Sequence, residues 1–357
     1  MPQYTLVDRP ESINAHLGTH DPIGVDTEFM REKTYFAQLC LVQISTTAGC
    51  YCVDPLVDDD ISTFWESVTG KTWIVHSGRQ DIEVVYQTAQ RMPLRLFDTQ
   101  IAAGLLGHMP QLGYAGLVKE LFDVELEKSH TRADWTRRPL PDAALQYAAE
   151  DVEYLLPAFD ALTESLDKMG RLAWAEEDSA LLLDPALYDT DPKLAIARLK
   201  GARNMRGGSR AAAARLAAWR ETEALRANRP RQWIVRDSVL LELAARLPSD
   251  ASELAKIDEL PQGLLRRAGD DLLAVIRESA SDDDSYRPPT RSDEPQKALL
   301  KEMLSTVAEC AADLGLAAET IAPRKELSAM ILSGDRNSRV FSGWRRELIG
   351  ERLIELL

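Results

Sequence analysis

Short apolar segments alternate with segments of helical periodicity over the first half of the chain. The strand-like segments are 22–28, 40–45, 50–54, 72–76 and one that ends near 97–98. The segments with apolar residues at helical spacing are 61–67, 80–88, 99–106, 114–122 and 142–162, the last with Asp142 as its expected N-cap after Pro141. This alternation predicts an α/β unit with a sheet that forms early in the chain.

The pattern changes after residue 183. Residues 184–191 contain three aspartates and one proline and are followed by Pro192, and the sequence beyond them predicts helices only. Residues 281–296 contain three consecutive aspartates and two consecutive prolines, a composition typical of a linker. We therefore predict a first α/β domain at 1–183 and helical domains at 193–279 and 297–357. The segment 349–354 echoes 268–273, which fits a degenerate repeat and equally fits a chance recurrence of helix ends.

Net charge, cysteine spacing and the length of the apolar runs exclude several classes of protein. The chain has 357 residues and a formal net charge of -15, which argues against a uniformly basic coat for nucleic acid. The four cysteines lack zinc-site or disulfide spacing, so we expect reduced buried thiols and a cytoplasmic protein. The first residues show no basic region followed by an apolar stretch, and no apolar run reaches the roughly 18 residues of a membrane span, so we expect neither secretion nor membrane insertion. We expect no membrane partner.

Two acidic residues lie two positions apart in the predicted strand 22–28. Because strand side chains alternate between faces, Asp26 and Glu28 project from the same face and can share a metal ion. A pair of exposed acids at a strand edge is the alternative. The neighbouring Val25 and Phe29 favour the metal, because unpaired carboxylates in an apolar strand are costly to desolvate.

Two further acidic positions occur in separate contexts. Tyr147 and Asp151 are four residues apart on a predicted helix and so face the same side, although a solvated pair has the same spacing. Asp81 lies near a helix start, where an acid can also simply interact with the macrodipole. The combination of four acids and a tyrosine suits hard divalent cations that activate water against a phosphodiester. The sequence therefore suggests a metal-dependent nuclease.

Three motifs resemble those of ribonuclease D, in the tyrosine-bearing subgroup of the exonuclease superfamily named for its four acids. They are Val25-Asp26-Thr27-Glu28-Phe29, His76-Ser77-Gly78-Arg79-Gln80-Asp81 and Tyr147-Ala148-Ala149-Glu150-Asp151. The resemblance continues through the helical part, which is similar to the helicase-and-ribonuclease-D C-terminal (HRDC) domain. It implies an α/β ribonuclease-H-like exonuclease domain with a mixed sheet, followed by two small all-α HRDC-like domains, the second more divergent.

The resemblance also implies an activity and a role for each motif residue. A 3′–5′ exoribonuclease would release nucleoside 5′-monophosphates from tRNA precursors and other structured RNA, using two divalent metal ions, Mg²⁺ or Mn²⁺. Asp26, Glu28, Asp81 and Asp151 would hold the ions, and Tyr147 would position the attacking water. A DNA 3′–5′ exonuclease and a non-catalytic nucleic-acid-binding protein are the alternatives. We expect the protein to be a monomer.

Nucleic-acid contacts are expected at three places. Thr27, His76 and Gln80 adjoin the motif acids, and a buried, hydrogen-bonded role is the alternative for His76. Lys128, Arg132, Trp135 and Arg138 precede the third motif and offer phosphate donors and a stacking surface, or else a packed turn. Residues 193–236 hold twelve basic residues against two acidic ones, a local charge of +10. There we expect an RNA-backbone site formed by Arg203, Arg206, Arg210, Arg229 and Arg231, or else a solvated helical face.

Overall fold

The computed structural model describes residues 4–7, 9–57, 61–126, 133–282, 292–334 and 336–357. The chain forms two compact units. The first unit consists of Met1–Met30, Gln38–Tyr188 and Ser292–Leu357, and the second of Arg31–Ala37 and Asp189–Arg291. A short connector between two strands of the first unit therefore belongs to the second unit.

The first unit is built on one six-stranded mixed sheet, as predicted. Its strands are β1 (Tyr4–Val7), β2 (Ile23–Met30), β3 (Gln38–Thr46), β4 (Gly49–Val53), β5 (Thr72–Val75) and β6 (Arg95–Asp98), in the order β1-β4-β3-β2-β5-β6. The β2–β3 and β3–β4 pairs are antiparallel, and the other pairs are parallel. The sequence pattern missed β1, because four residues are too few to show alternation.

Helices account for the other regular elements of the first half. They are α1 (Ile13–Leu17), α2 (Ser62–Thr69), α3 (Arg79–Ala89), α4 (Thr99–Leu105), α5 (Tyr114–Phe122), α6 (Asp142–Glu153), α7 (Leu155–Lys168) and α8 (Leu172–Ala180). The predicted single helix at 142–162 is thus two helices. Pro157 explains the break, because its ring would clash with the carbonyl of Glu153 in a continuous helix. Asp142 is also not the N-cap, since Pro141 occupies that position.

The remaining helices follow in chain order. They are α9 (Gly207–Ala227), α10 (Arg231–Ile234), α11 (Asp237–Arg246), α12 (Ala251–Leu254), α13 (Gln262–Ser279), α14 (Glu294–Leu314), α15 (Ala318–Ile321), α16 (Arg324–Ser333), α17 (Gly343–Arg345) and α18 (Glu351–Leu356). None of the helices in the described ranges is both long enough and apolar enough to cross a bilayer. All four cysteines are buried free thiols, as expected.

The C-terminal segment shares the core of the first unit. Met303, Val307 and Trp344 belong to the same apolar cluster as Leu155 and Leu162. The structure therefore groups 292–357 with the α/β fold of the first unit, whereas the sequence suggested a separate third domain. The descent of this segment from a second HRDC copy stays a prediction, as do the predicted domain boundaries.

A buried ion pair joins the C-terminal segment to α8. The guanidinium of Arg345 binds both carboxylate oxygens of Asp178, with Nη2 at 2.7 Å from Oδ2, and both side chains are buried. The indole Nε1 of Trp344 donates to the same carboxylate at 3.2 Å, and its ring stacks on Trp174 with centroids 4.5 Å apart. Removal of either partner would leave the other charge buried without a counter-charge, which is strongly destabilising.

The second unit is helical in its described residues from 189 to 282. Its apolar core lies between α9, α11 and α13 and includes Leu216, Leu240 and Leu272. The connector 31–37 belongs to this unit because the side chain of Asn228 accepts from the backbone N–H groups of Tyr35 and Phe36, each at 3.0 Å.

Candidate active site

The strand β2 presents two carboxylates on one face of the sheet. Asp26 and Glu28 are two residues apart, so both point the same way, while Thr27 between them points to the opposite face. The antiparallel pairing with β3 sets Asp26 opposite Gln43 and Glu28 opposite Leu41. The central position of β2 in the sheet fixes the backbone that carries both acids.

The helix α6 brings a third carboxylate to this pair. Its buried face, which includes Ala148 and Val152, packs on the sheet and turns Asp151 toward β2. Asp26, Glu28 and Asp151 each offer a carboxylate oxygen, and these oxygens lie within 4.8 Å of one another. Among the residues that the structure describes, three of the four expected acids thus converge.

The turn before α3 sets the position of Asp81. The carboxylate of Asp98 accepts hydrogen bonds from the backbone N–H groups of Ser77 at 3.0 Å and Gly78 at 2.9 Å. A Cβ on Gly78 would collide with the side chain of Val75, so only glycine fits there. The role of Asp98 was missed from the sequence, and its place in the Phe97-Asp98-Thr99 segment was the available signal.

Asp81 lies beside the three-acid cluster but is held by Thr27. The backbone N–H of Thr27 donates to Asp81 Oδ1 at 3.1 Å, and its hydroxyl donates to the same oxygen at 2.5 Å. Asp81 is 7 % exposed. Thr27 was predicted to contact nucleic acid, whereas the structure uses its hydroxyl to hold an acid of the site.

Burial and mutual repulsion raise the pKa of every acid in the site. Burial, with the charges of Asp151 and Asp81, raises the pKa of Glu28 to about 8. Burial raises the pKa of Asp151 to about 7 and that of Asp81 to about 6, although the hydrogen bonds from Thr27 lower the latter. The pKa of Asp26 is raised well above its ordinary value by burial and by the other three acids. The site therefore favours a positive charge.

A divalent cation fits this donor set. Hard cations such as Mg²⁺ and Mn²⁺ prefer carboxylate oxygens, and the cluster offers three within binding distance of one another, with Asp81 adjacent. A cation would offset the repulsion that raises the pKa values of these acids. The chemistry of the residues thus matches the metal dependence expected from the sequence.

Tyr147 faces the same site from α6. Its hydroxyl donates a hydrogen bond to Asp151, and burial together with the negative charges of Asp151 and Glu28 raises its pKa above the ordinary value. The hydroxyl therefore stays protonated at neutral pH. A protonated tyrosine is a hydrogen-bond donor rather than a base.

Arg138 has an internal role, although the sequence suggested a phosphate contact. Its Nε and Nη2 bind the carboxylate of Asp54, and Nη2 also donates to the carbonyl oxygen of Cys40, each Nη2 distance being 2.7 Å. Its Nη1 donates to the carbonyl oxygens of Trp135 at 2.7 Å and Arg137 at 2.8 Å. All five N–H groups are thus matched by acceptors within the protein.

The other predicted nucleic-acid contacts before the third motif are Trp135, Lys128 and Arg132. Trp135 is 3 % exposed, with its ring centroid 6.5 Å from that of Tyr147, so it packs beside the site rather than offering a stacking face. Lys128 and Arg132 lie outside the described residues.

His76 and Gln80 differ in how free their side chains are. The ring of His76 contacts Thr99 Oγ1 through Nδ1 and the carbonyl oxygen of Leu112 through Nε2, both at 2.9 Å. This matches the buried, hydrogen-bonded alternative. Gln80 is exposed and precedes Asp81 directly, which leaves it available to a substrate.

Part of the excess positive charge in 193–236 is balanced inside the second unit. The buried carboxylate of Glu221 accepts from Tyr35 and pairs with Arg198 at 3.1 Å and Arg231 at 2.5 Å. Other pairs are Arg215 with Glu278 and Asp282, Arg220 with Asp237, Arg226 with Glu223 and Arg236 with Glu259. Arg231, a predicted RNA contact, is therefore part of an internal cluster.

Three of the predicted arginines stay exposed. Arg203, Arg206 and Arg229 have no ion pair among the described residues. Arg210 is half-buried and donates from Nε to the carbonyl oxygen of Met205 at 2.8 Å. Arg203 and Arg206 precede α9 and Arg229 follows it. Because this helix has 21 residues, they lie about 30 Å apart, at two separate points rather than along one stripe.

Comparisons with known proteins agree with this geometry. The profile of the 3′–5′ exonuclease family matches residues 5–167, and that of the HRDC domain matches residues 209–276. Ribonuclease D of Acidiphilium cryptum is 36 % identical over 99 % of this chain and 93 % of its own, and that of Pseudomonas paraeruginosa is 34 % identical over 95 % and 93 %.

Solved structures agree as well. The crystal structure of Escherichia coli RNase D, an exoribonuclease involved in structured RNA processing, superposes with a TM-score of 0.87 at 28 % identity, covering 99 % of this chain and 98 % of that one. The catalytic core of RRP6 from Trypanosoma brucei superposes with a TM-score of 0.60 at 25 % identity, covering 78 % and 80 %.

Proposed function

Because the chain belongs to the ribonuclease D family and is a 3′–5′ exoribonuclease, we propose that it trims structured RNA, tRNA precursors included. Each turnover would release one nucleoside 5′-monophosphate from the 3′ end. The observation that carries this proposal is the convergence of Asp26, Glu28 and Asp151 from β2 and α6 with Tyr147 beside them. An RNA-processing role also suits a cytoplasmic protein.

The four acids would hold two divalent cations, Mg²⁺ or Mn²⁺. Asp26, Glu28 and Asp151 supply converging oxygens, and Asp81 supplies a further carboxylate fixed by Thr27. When bound, such ions polarise the scissile phosphate and make the attacking water more acidic. Deprotonated acids bind them best, so the raised pKa values predict metal affinity that falls in acid.

Tyr147 would orient the attacking water. Its raised pKa keeps the hydroxyl protonated, and its hydrogen bond to Asp151 fixes the direction in which the oxygen lone pairs point. The hydroxyl oxygen can then accept a hydrogen bond from the water and hold it for attack on phosphorus. Asp151 thus has two functions, as a metal ligand and as the anchor of Tyr147.

The RNA would be held by groups that are exposed. Gln80 is exposed and directly precedes the acid Asp81, and Arg203, Arg206 and Arg229 are exposed arginines of the second unit. Lys128 and Arg132 complete the proposed contacts. All the proposed catalytic groups lie in one compact unit, which supports a monomer as the active form.

A labelled-end assay tests the proposal. A tRNA precursor labelled at its 5′ end should shorten progressively, and the same RNA labelled at its 3′ end should release a labelled mononucleotide first, in each case only with Mg²⁺ or Mn²⁺. Asp151→Asn should abolish release, whereas Asp142→Asn, an exposed acid of the same helix, should not.

Matched substrates decide between the alternatives. Equal or faster digestion of a DNA strand of the same sequence would favour a DNA exonuclease, because the same acids serve both polymers. RNA binding without nucleotide release in either metal would favour a non-catalytic protein.

A further inference from the structure

A buried glutamine lies next to the metal-binding acids. Gln43, in the middle of β3, is 0 % exposed, and it pairs with Asp26 of β2 on one side and with Cys52 of β4 on the other. Directly paired residues in antiparallel strands point to the same face, with Cβ atoms about 5 Å apart. The side chains of Asp26, Gln43 and Cys52 therefore form a row across the sheet.

Helices cover this face of the sheet. The thiol of Cys52 contacts the carbonyl oxygen of Leu145 in α6 at 3.8 Å. Ser45 lies two residues after Gln43 in β3 and is paired with Gly24 of β2. A Cβ on Gly24 would collide with the hydroxyl of Ser45 and would lie 3.0 Å from the Cβ of Leu155 in α7. The row is thus enclosed between the sheet and two helices.

The amide of Gln43 is unpartnered in this enclosed space. Neither its Nε2 nor its Oε1 has a hydrogen-bond partner among the described residues, and the same holds for the hydroxyl of Ser45, which is 3 % exposed. Buried polar groups are satisfied in the great majority of cases, and each one left unsatisfied is destabilising. An apolar side chain would suit this position better for packing alone.

Asp26 is the carboxylate directly opposite Gln43 on this face, and it can accept from such a donor. A carboxylate that binds metal through one oxygen is commonly fixed through the other by a neighbouring hydrogen-bond donor. The amide of Gln43 has two N–H groups, and the pairing register starts its side chain directly opposite Asp26. Ser45, two residues along β3, points to the same face and can donate to the Gln43 carbonyl oxygen.

We propose that Gln43 is a positioning residue for the metal ligand Asp26. Its side-chain amide donates to the Asp26 carboxylate, directly or through one water, when metal is bound, and Ser45 supports the amide from behind. The inference rests on the proposed metal-dependent function. It predicts that Gln43 contributes to metal affinity while its burial destabilises the metal-free fold, a combination found where function and packing conflict.

Manganese binding measured without substrate tests this inference. Mn²⁺ is titrated into the metal-free protein and followed by electron paramagnetic resonance, and thermal unfolding is recorded separately in chelator. Gln43→Met should bind Mn²⁺ at least about 10-fold more weakly than the original protein and unfold at the same or a higher temperature. Gln38→Met, at the exposed start of the same strand, is the matched control and should change neither quantity.

The outcomes separate the two proposals. Mn²⁺ binding by Gln43→Met within two-fold of the original protein would overturn the role of Gln43 and leave the metal site intact. Failure of the original protein to bind Mn²⁺ would instead remove the metal site itself. Should Gln43→Met not fold, Gln43→Leu is measured in its place. Failure of both to fold would also overturn the inference, because it expects the amide to contribute little to the metal-free fold.

Discussion

Thr27 holds Asp81 through two hydrogen bonds to one carboxylate oxygen, from its hydroxyl at 2.5 Å and from its backbone N–H at 3.1 Å. The two residues are 54 positions apart in the chain. Thr27 sits between Asp26 and Glu28 on β2 and faces the opposite side of the sheet. One strand therefore supplies two acids on one face and the anchor of a third acid on the other.

Removal of the Thr27 hydroxyl should weaken the enzyme through Asp81. Thr27→Val keeps the backbone donor but loses the shorter hydrogen bond, so turnover should fall about 10-fold or more, with RNA affinity little changed. The free energy of unfolding should fall by about 1–3 kcal/mol. Steady-state kinetics and urea unfolding measure the two effects. Thr27→Ser keeps the hydroxyl and is the control. Equal turnover by the Val and Ser variants would show that this hydrogen bond is dispensable.

Tyr147→Phe should slow the chemical step selectively. The loss of one oxygen removes the group that orients the water, and we expect turnover to fall by about 10²-fold or more. Mn²⁺ affinity and RNA affinity should stay within about two-fold, because the acids remain. Single-turnover kinetics and equilibrium binding separate these quantities. Tyr154→Phe, at the end of the same helix, should retain activity, and full activity in Tyr147→Phe would refute the orienting role.

Glu28 should destabilise the metal-free protein at high pH. Its folded pKa of about 8 lies above its ordinary value, so the folded state binds more protons than the unfolded state between about pH 4.5 and 8. The resulting penalty is absent below this window and complete above it. In chelator, Glu28→Gln should therefore match the original protein at pH 4.5 and exceed it by at least about 1 kcal/mol at pH 8.5.

Denaturant unfolding at the two pH values measures this difference. Saturating Mn²⁺ should reverse the order at pH 8.5, because the metal binds ionised Glu28 and stabilises the folded state. Equal stabilities at pH 8.5 without metal would contradict the raised pKa.

The exposed arginines of the helical unit should contribute to RNA binding additively. Removing one arginine that binds a phosphate lowers the salt slope of the affinity by about 0.7 for a single strand. Arg203→Gln combined with Arg206→Gln should therefore lower the slope by about 1.4, and Arg229→Gln alone by about 0.7. Affinities measured at several salt concentrations give the slopes. Arg215→Gln is the control, because Glu278 and Asp282 already neutralise its charge. Unchanged slopes would leave these arginines as a solvated surface.

The Asp178–Arg345 pair should be essential for the stability of the first unit. Asp178→Asn leaves the buried guanidinium of Arg345 without a counter-charge, which typically costs about 3–5 kcal/mol. Thermal unfolding should show a large loss, and Asp167→Asn, an exposed acid of α7, should show almost none. A small effect of Asp178→Asn would mean that the C-terminal segment is anchored by its apolar contacts instead.

Local periodicity predicted much of the site. The two-residue repeat of a strand placed Asp26 and Glu28 on one face, and the structure agrees. The helical repeat likewise placed Tyr147 and Asp151 on one face of α6. The break between α6 and α7 was missed, because periodicity predicted one helix at 142–162 although Pro157 lies inside it. Periodicity could therefore predict each of the two residue pairs. The resemblance to a known family indicated that the two pairs belong to one site.

Long-range pairing accounts for what the sequence missed. Arg138 was predicted to bind phosphate, but its partner Asp54 lies 84 residues earlier, and nothing in the local sequence marks that pair. The anchoring of Asp81 by Thr27 and the burial of Gln43 depend on strand register and helix placement in the same way. The periodicity of an element predicts which of its residues share a face. It does not predict which residues of other elements contact that face.

Anomalous diffraction from crystals soaked in Mn²⁺ tests the central claim most directly. We predict two anomalous peaks about 4 Å apart, in contact with the carboxylates of Asp26, Glu28 and Asp151 and with Asp81 at their edge. Asp151→Asn crystals soaked in the same way should lose at least one peak. The absence of manganese from this cluster at saturating concentration, or its binding only elsewhere on the protein, would contradict the account.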